Sequence, residues 1–371
     1  MTSRIVDQFL ELVQIDSETY HEEKISPVLQ SLLKELGFDV YVDDADTKNG
    51  HASGNIIATL KGNADVDPIY FTAHMDTVVP GVGIKPIIKE DGYIYSDGTT
   101  ILGADDKAGL AALLELARRI QEQGLAHGDI QYVITAGEES GLEGAKFLDH
   151  EKVYAKYGFA VDSDGKIGEI VVAAPYQTKV NATLKGKTAH AGVEPEKGIS
   201  AITMAAKAIA NMKLGRLDSD TTANIGRFEG GKATNIVADE AIVLAECRSL
   251  DADKVASQAE HMKACFEQAA AEMGGEAIVE VKNMYPGFRF GEDDLVVQVA
   301  QQAARAIGRE PKLAQSGGGS DANVIAGYGI PTVNLAVGYE FIHTTNERIP
   351  VEELEKLADL LVSIVQVVAA K

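Results

Sequence analysis

Cysteine is scarce in this sequence. Its two cysteines, Cys247 and Cys265, are too few to form a disulfide framework in a chain of 371 residues. We expect both to be buried thiols in a reducing compartment, with a single bridge as the alternative. Neither falls among the candidate metal ligands described below, so a thiolate-rich structural zinc site is not expected.

Long apolar runs are also missing. No stretch approaches the roughly 18 apolar residues of a membrane span. The opening segment, MTSRIVDQFLELVQIDSE, is interrupted by acids and lacks the apolar core of a signal peptide. The apolar stretch LVSIVQVVAAK is short and follows several glutamates, which favours a packed terminal helix. We therefore predict a soluble, cytoplasmic protein that does not enter a membrane.

Basic residues are also few relative to acidic ones. Lysine and arginine total 34 against 56 acids, which gives a formal net charge of −22. A field of this sign repels phosphate backbones and anionic bilayers, so neither nucleic acid nor a membrane surface is expected as a partner. The content of 45% hydrophobic and 24% charged residues is typical of globular proteins, and the length suits two domains.

Helix and strand patterns alternate in the first part of the chain. The clearest helix is predicted over residues 107–123, where GADDKAG leads into an apolar periodic segment. A shorter helix is expected around 144–150. Strands are predicted at 55–60, 68–73, 130–135 and 158–161. This alternation predicts an α/β fold with an open, mostly parallel sheet and helices on both faces.

The pattern changes near residue 178 and changes back after Pro286. The intervening segment has the order β-α-β-β-α-β, which is typical of a small α+β domain of ferredoxin-like type. The helix–strand alternation then returns, with a helix over 295–307 and a strand over 331–336. We therefore predict a discontinuous domain, residues 1–177 and 289–371, with a second domain inserted at 178–288. The segments that carry the inserted pattern are 178–187, 199–212, 221–229, 240–247, 253–273 and 276–281.

Residues of metal-ligand type cluster at five points, four of them just after a predicted strand and one just before the helix at 107. In a parallel sheet all five would lie along one rim, outside the carboxyl ends of the strands. Such a cluster would repel itself without a cation. Imidazole and carboxylate ligands suit zinc, with cobalt or manganese as alternatives, and their surplus indicates two ions sharing a carboxylate. The clusters are His74 with Asp76, Asp105 with Asp106, Glu138 with Glu139, Asp162, and His343.

Other motifs carry no such signal. The acidic segment at 43–50 lacks the EF-hand spacing, and the glycines at 317–319 match neither a P-loop nor a dinucleotide fingerprint. Five further histidines lie in polar helical or loop sequence and are assigned to no site. They are His21, His51, His127, His150 and His261.

Nine motifs spread over the chain resemble those of the co-catalytic zinc peptidases, the group that includes aminoacylase, glutamate carboxypeptidase and peptidase T. GADDKAGLAALLE and GEESG are most similar to the peptidase T branch. VDSDG and the loop at 77–94 depart from the family pattern. The motifs are HMDTV, GADDKAG, GEESG, VDSDG, GKTAHAG, NIVADEA, ECRS, GGSDAN and the late His343.

The resemblance implies two zinc ions per subunit. His74, Asp105 and Asp162 would hold one ion, and His343, Asp105 and Glu139 the other. Asp105 would therefore bridge them, and a cis peptide bond would join it to Asp106. The resemblance further implies that Asp76 orients the His74 ring, and that Glu138 is the general base that would take a proton from a water bridging the two zinc ions, which would leave the attacking hydroxide.

The inserted domain would act as a lid and as the dimer interface. His190 in GKTAHAG would stabilise the oxyanion, reaching the rim by domain closure or from the second subunit of a homodimer. Asn235 and Arg248 resemble the family's substrate-holding pair, with a turn residue and a strand-edge ion pair as the alternative. Gly318 and Ser320 lie in a glycine-rich segment that is either a substrate-binding helix start or a plain tight turn.

The expected activity is therefore hydrolysis of short peptides by a zinc aminopeptidase, most closely a tripeptidase. The alternatives are a carboxypeptidase, a deacylase of N-acyl amino acids, or a peptide-binding homologue without turnover.

Overall fold

The computed structural model describes residues 2–371 and divides into two compact units. The split unit runs up to Ala173 and resumes over Phe290–Ser316 and Ser320–Lys371. The inserted unit comprises Ala174–Arg289 with Gly317–Gly319. Within residues 2–371, no helix is both long and apolar enough to cross a membrane.

Helices occupy both units and differ from the predicted ones mainly at their ends. The predicted helix at 107–123 begins at Ala104, although Asp105 and Asp106 have non-helical backbone angles. The helix expected around 144–150 is confined to one short turn followed by a 3₁₀ turn, His150–Lys152. The α-helices are α1 (Arg4–Val13), α2 (Ile25–Glu35), α3 (Asp46–Asn49), α4 (Ala104–Gln123), α5 (Glu143–Lys146), α6 (Ala201–Asn211), α7 (Ala252–Met273), α8 (Leu295–Ala306), α9 (Asp321–Gly327) and α10 (Val351–Ala369).

Strands alternate with these helices in the split unit and pair with one another in the inserted unit. The strands are β1 (Asp39–Val42), β2 (Ile56–Leu60), β3 (Ile69–His74), β4 (Ile87–Ile88), β5 (Tyr93–Tyr95), β6 (Ile130–Thr135), β7 (Tyr157–Ser163), β8 (Glu169–Ala174), β9 (Tyr176–Lys185), β10 (Gly215–Arg216), β11 (Thr221–Gly230), β12 (Glu240–Ser249), β13 (Glu276–Tyr285), β14 (Phe288–Arg289), β15 (Lys312–Gln315), β16 (Thr332–Ala336) and β17 (Arg348–Pro350).

The main sheet of the split unit has the order β1-β2-β6-β3-β7-β16-β8, and β15 also pairs with β8. The four central strands, β6, β3, β7 and β16, are parallel, whereas β1, β2 and β8 join antiparallel partners. The predicted α/β class with a mostly parallel sheet is therefore confirmed.

Both faces of this sheet are covered by apolar side chains. Phe71 packs into the larger core, which also contains α1, α4, α8 and α10. Its neighbour Tyr70 points into a smaller core that includes Ile325 of α9. Successive side chains of a strand point to opposite faces of the sheet, so the two cores that Phe71 and Tyr70 enter lie on opposite faces. Helices therefore cover both sides of the sheet.

The inserted unit has an antiparallel sheet of order β10-β11-β12-β9-β13. Helices α6 and α7 pack against it and against each other. Its own core contains Met204, Met262 and Phe266 together with Cys247 and Cys265, and both cysteines are free thiols. This unit therefore has an apolar core separate from that of the split unit.

Candidate metal centre

The candidate ligands lie together at the carboxyl ends of the four parallel strands. His74 is the last residue of β3, and Asp162 lies near the end of β7. Glu138 and Glu139 follow β6, and His343 follows β16. Asp105 and Asp106 precede the regular part of α4. The rim that the sequence predicts is thus present in the split unit.

Asp105 lies between the two histidines of the rim. Its Oδ1 is 3.0 Å from Nε2 of His74, and its Oδ2 is 3.2 Å from Nε2 of His343. The carboxylate is buried. Each oxygen therefore faces a different imidazole, which is the orientation that a bridging carboxylate needs.

His343 also faces Glu139, whose Oε1 lies 3.1 Å from Nε2 of the ring. This oxygen is buried and has no hydrogen-bond partner within residues 2–371. His343 itself has a positive φ of 61° and a half-exposed side chain. An unsatisfied buried carboxylate oxygen beside an imidazole nitrogen is the arrangement expected of two ligands aimed at a common ion.

The ring of His74 is oriented by the main chain. Its Nδ1 donates to the backbone oxygen of Asp76 at 2.9 Å, while the nearer carboxylate oxygen of Asp76 is 3.5 Å away. The Asp76 carboxylate instead accepts the backbone N–H groups of Glu138 and Glu139, at 3.0 and 3.2 Å. Asp76 therefore links the His74 ring to the segment that carries both glutamates, and its carbonyl makes the contact expected of its side chain.

Asp106 and Asp162 complete the cluster. Asp106 accepts backbone N–H groups from His74 at 3.3 Å and Gly109 at 3.1 Å, and the Asp105–Asp106 peptide bond is cis. Asp162 Oδ1 lies 3.7 Å from His74 Nε2 and accepts the Tyr339 hydroxyl at 3.1 Å. The carboxylate of Asp106 is thus occupied by main-chain donors, whereas Asp105 and Asp162 face the His74 ring.

Ligand atoms converge closely enough to hold a cation. Two groups have ligand atoms that all lie within 4.8 Å of one another: His74 with Asp106 and Asp162, and His74 with Asp105 and Glu139. Both consist of imidazole and carboxylate donors, which suit zinc, cobalt or manganese. The residues present therefore fit a metal centre.

The pKa shifts within the cluster also favour a bound cation. Burial, reinforced by the nearby Asp162 carboxylate, raises the pKa of Glu138 well above its usual range. Burial also raises the pKa of Asp162. The facing carboxylates of Asp105 and Glu139 raise the pKa of His343 to about 10. Acids that resist ionisation and a histidine that favours it indicate an excess of negative charge that a divalent cation would offset.

Glu347 supports the cluster and was not among the predicted site residues. It is buried, and its carboxylate accepts the backbone N–H groups of Leu102 and Gly103 at 2.8 Å and of Asp105 at 3.0 Å. It follows His343 by four residues. One short segment therefore supplies a histidine of the rim and also fixes the main chain that carries Asp105.

The remaining predicted residues divide between the units. Ser320 caps α9 in the split unit through a capping box with Asn323. In the inserted unit, His190 forms a β-bridge with Ile236, and the Ala191 N–H donates to the Asn235 carbonyl at 3.0 Å. His190 and Asn235 therefore lie on adjacent segments.

Arg248 also lies in the inserted unit, on β12. Its guanidinium donates to Glu246 at 2.9 Å through Nε and to the Gly317 carbonyl at 3.0 Å through Nη1. The structure thus brings Arg248 beside the glycine segment that contains Gly318.

Comparison with known proteins identifies the chain's relatives. The sequence model described as peptidase family M20/M25/M40 matches residues 70–367. Peptidase T from Geobacillus sp. (strain WCH70) is 27% identical over 420 residues, covering 100% of both chains.

Two solved structures are similar over almost the whole chain. The aminopeptidase PepT from Bacillus cereus ATCC 10987 is 64% identical, with a TM-score of 0.95 and coverage of 99% of this chain and 98% of that one. A tripeptidase from Staphylococcus aureus is 52% identical, with a TM-score of 0.97 and the same coverage.

Proposed function

This chain belongs to peptidase family M20/M25/M40 and is a peptide-hydrolysing metallopeptidase, and from that premise we propose that it is a dizinc aminopeptidase that acts on short peptides, above all tripeptides. The relatives named aminopeptidase PepT, tripeptidase and peptidase T support this choice of substrate. Their similarity extends along the whole chain, so it includes both units.

One observation carries the proposal. The two oxygens of Asp105 face Nε2 of His74 and Nε2 of His343, at 3.0 and 3.2 Å. His74, Asp105 and Asp162 would hold one ion, and His343, Asp105 and Glu139 the other. Ions held there would polarise the scissile carbonyl and lower the pKa of a water molecule, with zinc as the expected metal and cobalt or manganese as substitutes.

Proton transfer from the attacking water to the leaving amine would be carried out by residues of the chain itself. Glu138 is partly buried beside Asp162, and its raised pKa suits a group that takes a proton from water and returns it to the leaving amine. The Asp76 carboxylate accepts hydrogen bonds from the backbone N–H groups of Glu138 and Glu139, and so orients both residues. These contacts support a positioning role for Asp76.

Residues of the inserted unit would bind the substrate. His190 would donate a hydrogen bond to the developing oxyanion. Arg248 would bind the peptide carboxylate through its planar guanidinium, assisted by Asn235. Gly318 of this unit and Ser320 of the split unit would contribute further polar contacts. We propose that this unit is a lid and the interface of a cytoplasmic homodimer.

A panel of blocked peptides tests the specificity. The zinc- or cobalt-loaded protein is assayed on di- and tripeptides that are free, N-acetylated or C-amidated. An aminopeptidase needs a free amino terminus, so N-acetylation should abolish cleavage while amidation should not. The reverse pattern would indicate a carboxypeptidase, and preferred cleavage of N-acyl amino acids would indicate a deacylase.

A further inference from the structure

A chain of three hydrogen-bonded side chains lies beside the glutamate pair, outside the candidate ligand set. Nδ1 of His51 donates to Glu22 Oε1 at 2.8 Å, and Nε2 of the same ring lies 3.0 Å from Oγ of Ser140. The side chains of His51 and Glu22 are fully buried. Oγ of Ser140 also donates to the Gly137 carbonyl at 3.0 Å, so this hydroxyl connects the His51 ring to the main chain that carries the glutamate pair.

The His51 ring contacts both residues that flank Glu138 and Glu139. On one side it meets Ser140. On the other it packs against Gly137, where a Cβ would lie 2.2 Å from Cε1 of the ring. Gly137 has a φ of 74°, so glycine satisfies both the backbone conformation and the close approach of the ring. We call residues 137–141 the base turn.

The ring is itself firmly placed. The Glu22 carboxylate accepts two backbone N–H groups besides the ring, from Tyr20 and from Ala52, both at 3.1 Å. The Tyr20 ring stacks on His51, with centroids 4.3 Å apart and planes inclined by 15°. A buried carboxylate and imidazole with this many partners form a rigid support.

The base turn is therefore held from two sides. Asp76 binds the N–H groups of Glu138 and Glu139, while His51 contacts Gly137 and Ser140. Asp76 is itself part of the rim. Glu22 and His51 instead reach the turn from the segments that precede α2 and β2, so they fix it relative to a different part of the split unit.

We propose that Glu22, His51 and Ser140 form a positioning relay that sets the orientation of Glu138 and Glu139 for catalysis. The relay makes no contact with substrate in this role and acts through the main chain of the base turn. The inference rests on the proposed function, since it assumes that Glu138 is the general base.

Ser140→Ala is the first test, because it removes the hydroxyl without opening a core cavity. We expect kcat to fall about 10–100-fold, the range typical of residues that support a metal site, with KM nearly unchanged. Zinc content should stay at the wild-type level. Ser53→Ala is the matched control: Ser53 is buried two residues from His51 and bonds Ser26 at 2.7 Å, so it should leave kcat unchanged.

A double-mutant cycle separates a relay from independent structural effects. Glu22→Gln weakens the far end of the relay, and in combination with Ser140→Ala it should add little further loss of kcat, because both changes break one chain of contacts. Amide hydrogen exchange of the base turn should speed up in both single variants and stay at the wild-type rate in Ser53→Ala.

The outcomes are distinct. Wild-type kcat and exchange rates in Ser140→Ala would overturn the relay, as would fully multiplicative losses in the double variant. Glu138→Gln reports separately on the proposed function. If it retains turnover, the assignment of the base is wrong; if it is inactive while Ser140→Ala is fully active, only the relay is wrong.

Discussion

Nε2 of His74 lies 3.0 Å from Oδ1 of Asp105, which leaves the second carboxylate oxygen of Asp105 turned toward His343. His74 ends one of the parallel strands of the sheet, while Asp105 lies in the non-helical first turn of α4, which packs against that sheet. The two residues meet because α4 begins at the rim where the strands end. This contact makes Asp105 the residue on which the proposed dinuclear centre depends most.

Asp105→Asn should remove the bridge while keeping the size of the side chain. An amide offers one acceptor oxygen in place of two, so bound zinc should drop from about two ions per chain to one or none. Activity should fall by about 10²-fold or more. Elemental analysis and a peptide assay measure both, and Asp44→Asn on the exposed surface serves as the control. Two tightly bound ions in Asp105→Asn would contradict the bridging role.

Glu138→Gln should separate metal binding from proton transfer. The amide cannot take a proton, so turnover should fall about 10²–10⁴-fold while zinc content stays unchanged. Glu143→Gln is a suitable control, because Glu143 lies at the start of α5 and pairs with Lys146. Near-normal turnover of Glu138→Gln would assign the base to another residue.

Lys107 should make the stability of the metal-free protein depend on pH. The side chain is fully buried, its Nζ donates to the Ile15 carbonyl at 2.6 Å, and burial lowers its pKa from 10.5 to about 7. Between pH 7 and 10 the unfolded chain therefore binds a proton at Lys107 that the folded chain does not. The free energy of unfolding should rise with pH over this window.

The comparison is with Lys107→Met in the presence of a chelator. Relative to that variant, the free energy of unfolding of the wild-type protein should rise by up to about 1.4 kcal/mol per pH unit between pH 7 and 10. Below pH 6 the difference between the two proteins should not change with pH. Denaturant unfolding at several pH values measures the difference. A difference that stays constant across this window would show that Lys107 titrates normally in the folded chain.

His190→Ala tests the role proposed for the inserted unit. Turnover should fall about 10²–10³-fold through loss of the oxyanion donor, with zinc content unchanged. If His190 of the partner subunit completes the site, mixing this variant with Asp105→Asn should restore part of the activity. Loss of activity without restoration would favour closure within one chain, and no loss would remove His190 from the mechanism.

The sequence predicted the rim well because its signals are local. Each predicted ligand stands within a few residues of a strand end or helix start, and strand–helix alternation predicts where those ends meet. The clear periodicity of α4 and β6 likewise allowed their bounds to be predicted closely. β8 was not predicted, although its antiparallel contact with β16 reverses one edge of the otherwise parallel sheet.

The supporting contacts could not be predicted from local sequence. His51 stands in a polar loop, and its partners Glu22 and Ser140 lie 29 and 89 residues away along the chain. Glu347 likewise binds main-chain N–H groups more than 240 residues distant. Neither residue has a spacing or motif that signals its role. Only the fold brings them to the site.

The most direct test of the dinuclear centre is anomalous diffraction at the zinc edge from crystals of the zinc-loaded protein. We predict two peaks about 3.5–4 Å apart, one beside His74 and one beside His343, with the Asp105 carboxylate between them. A single peak, or two peaks bridged by Asp106 in place of Asp105, would contradict it.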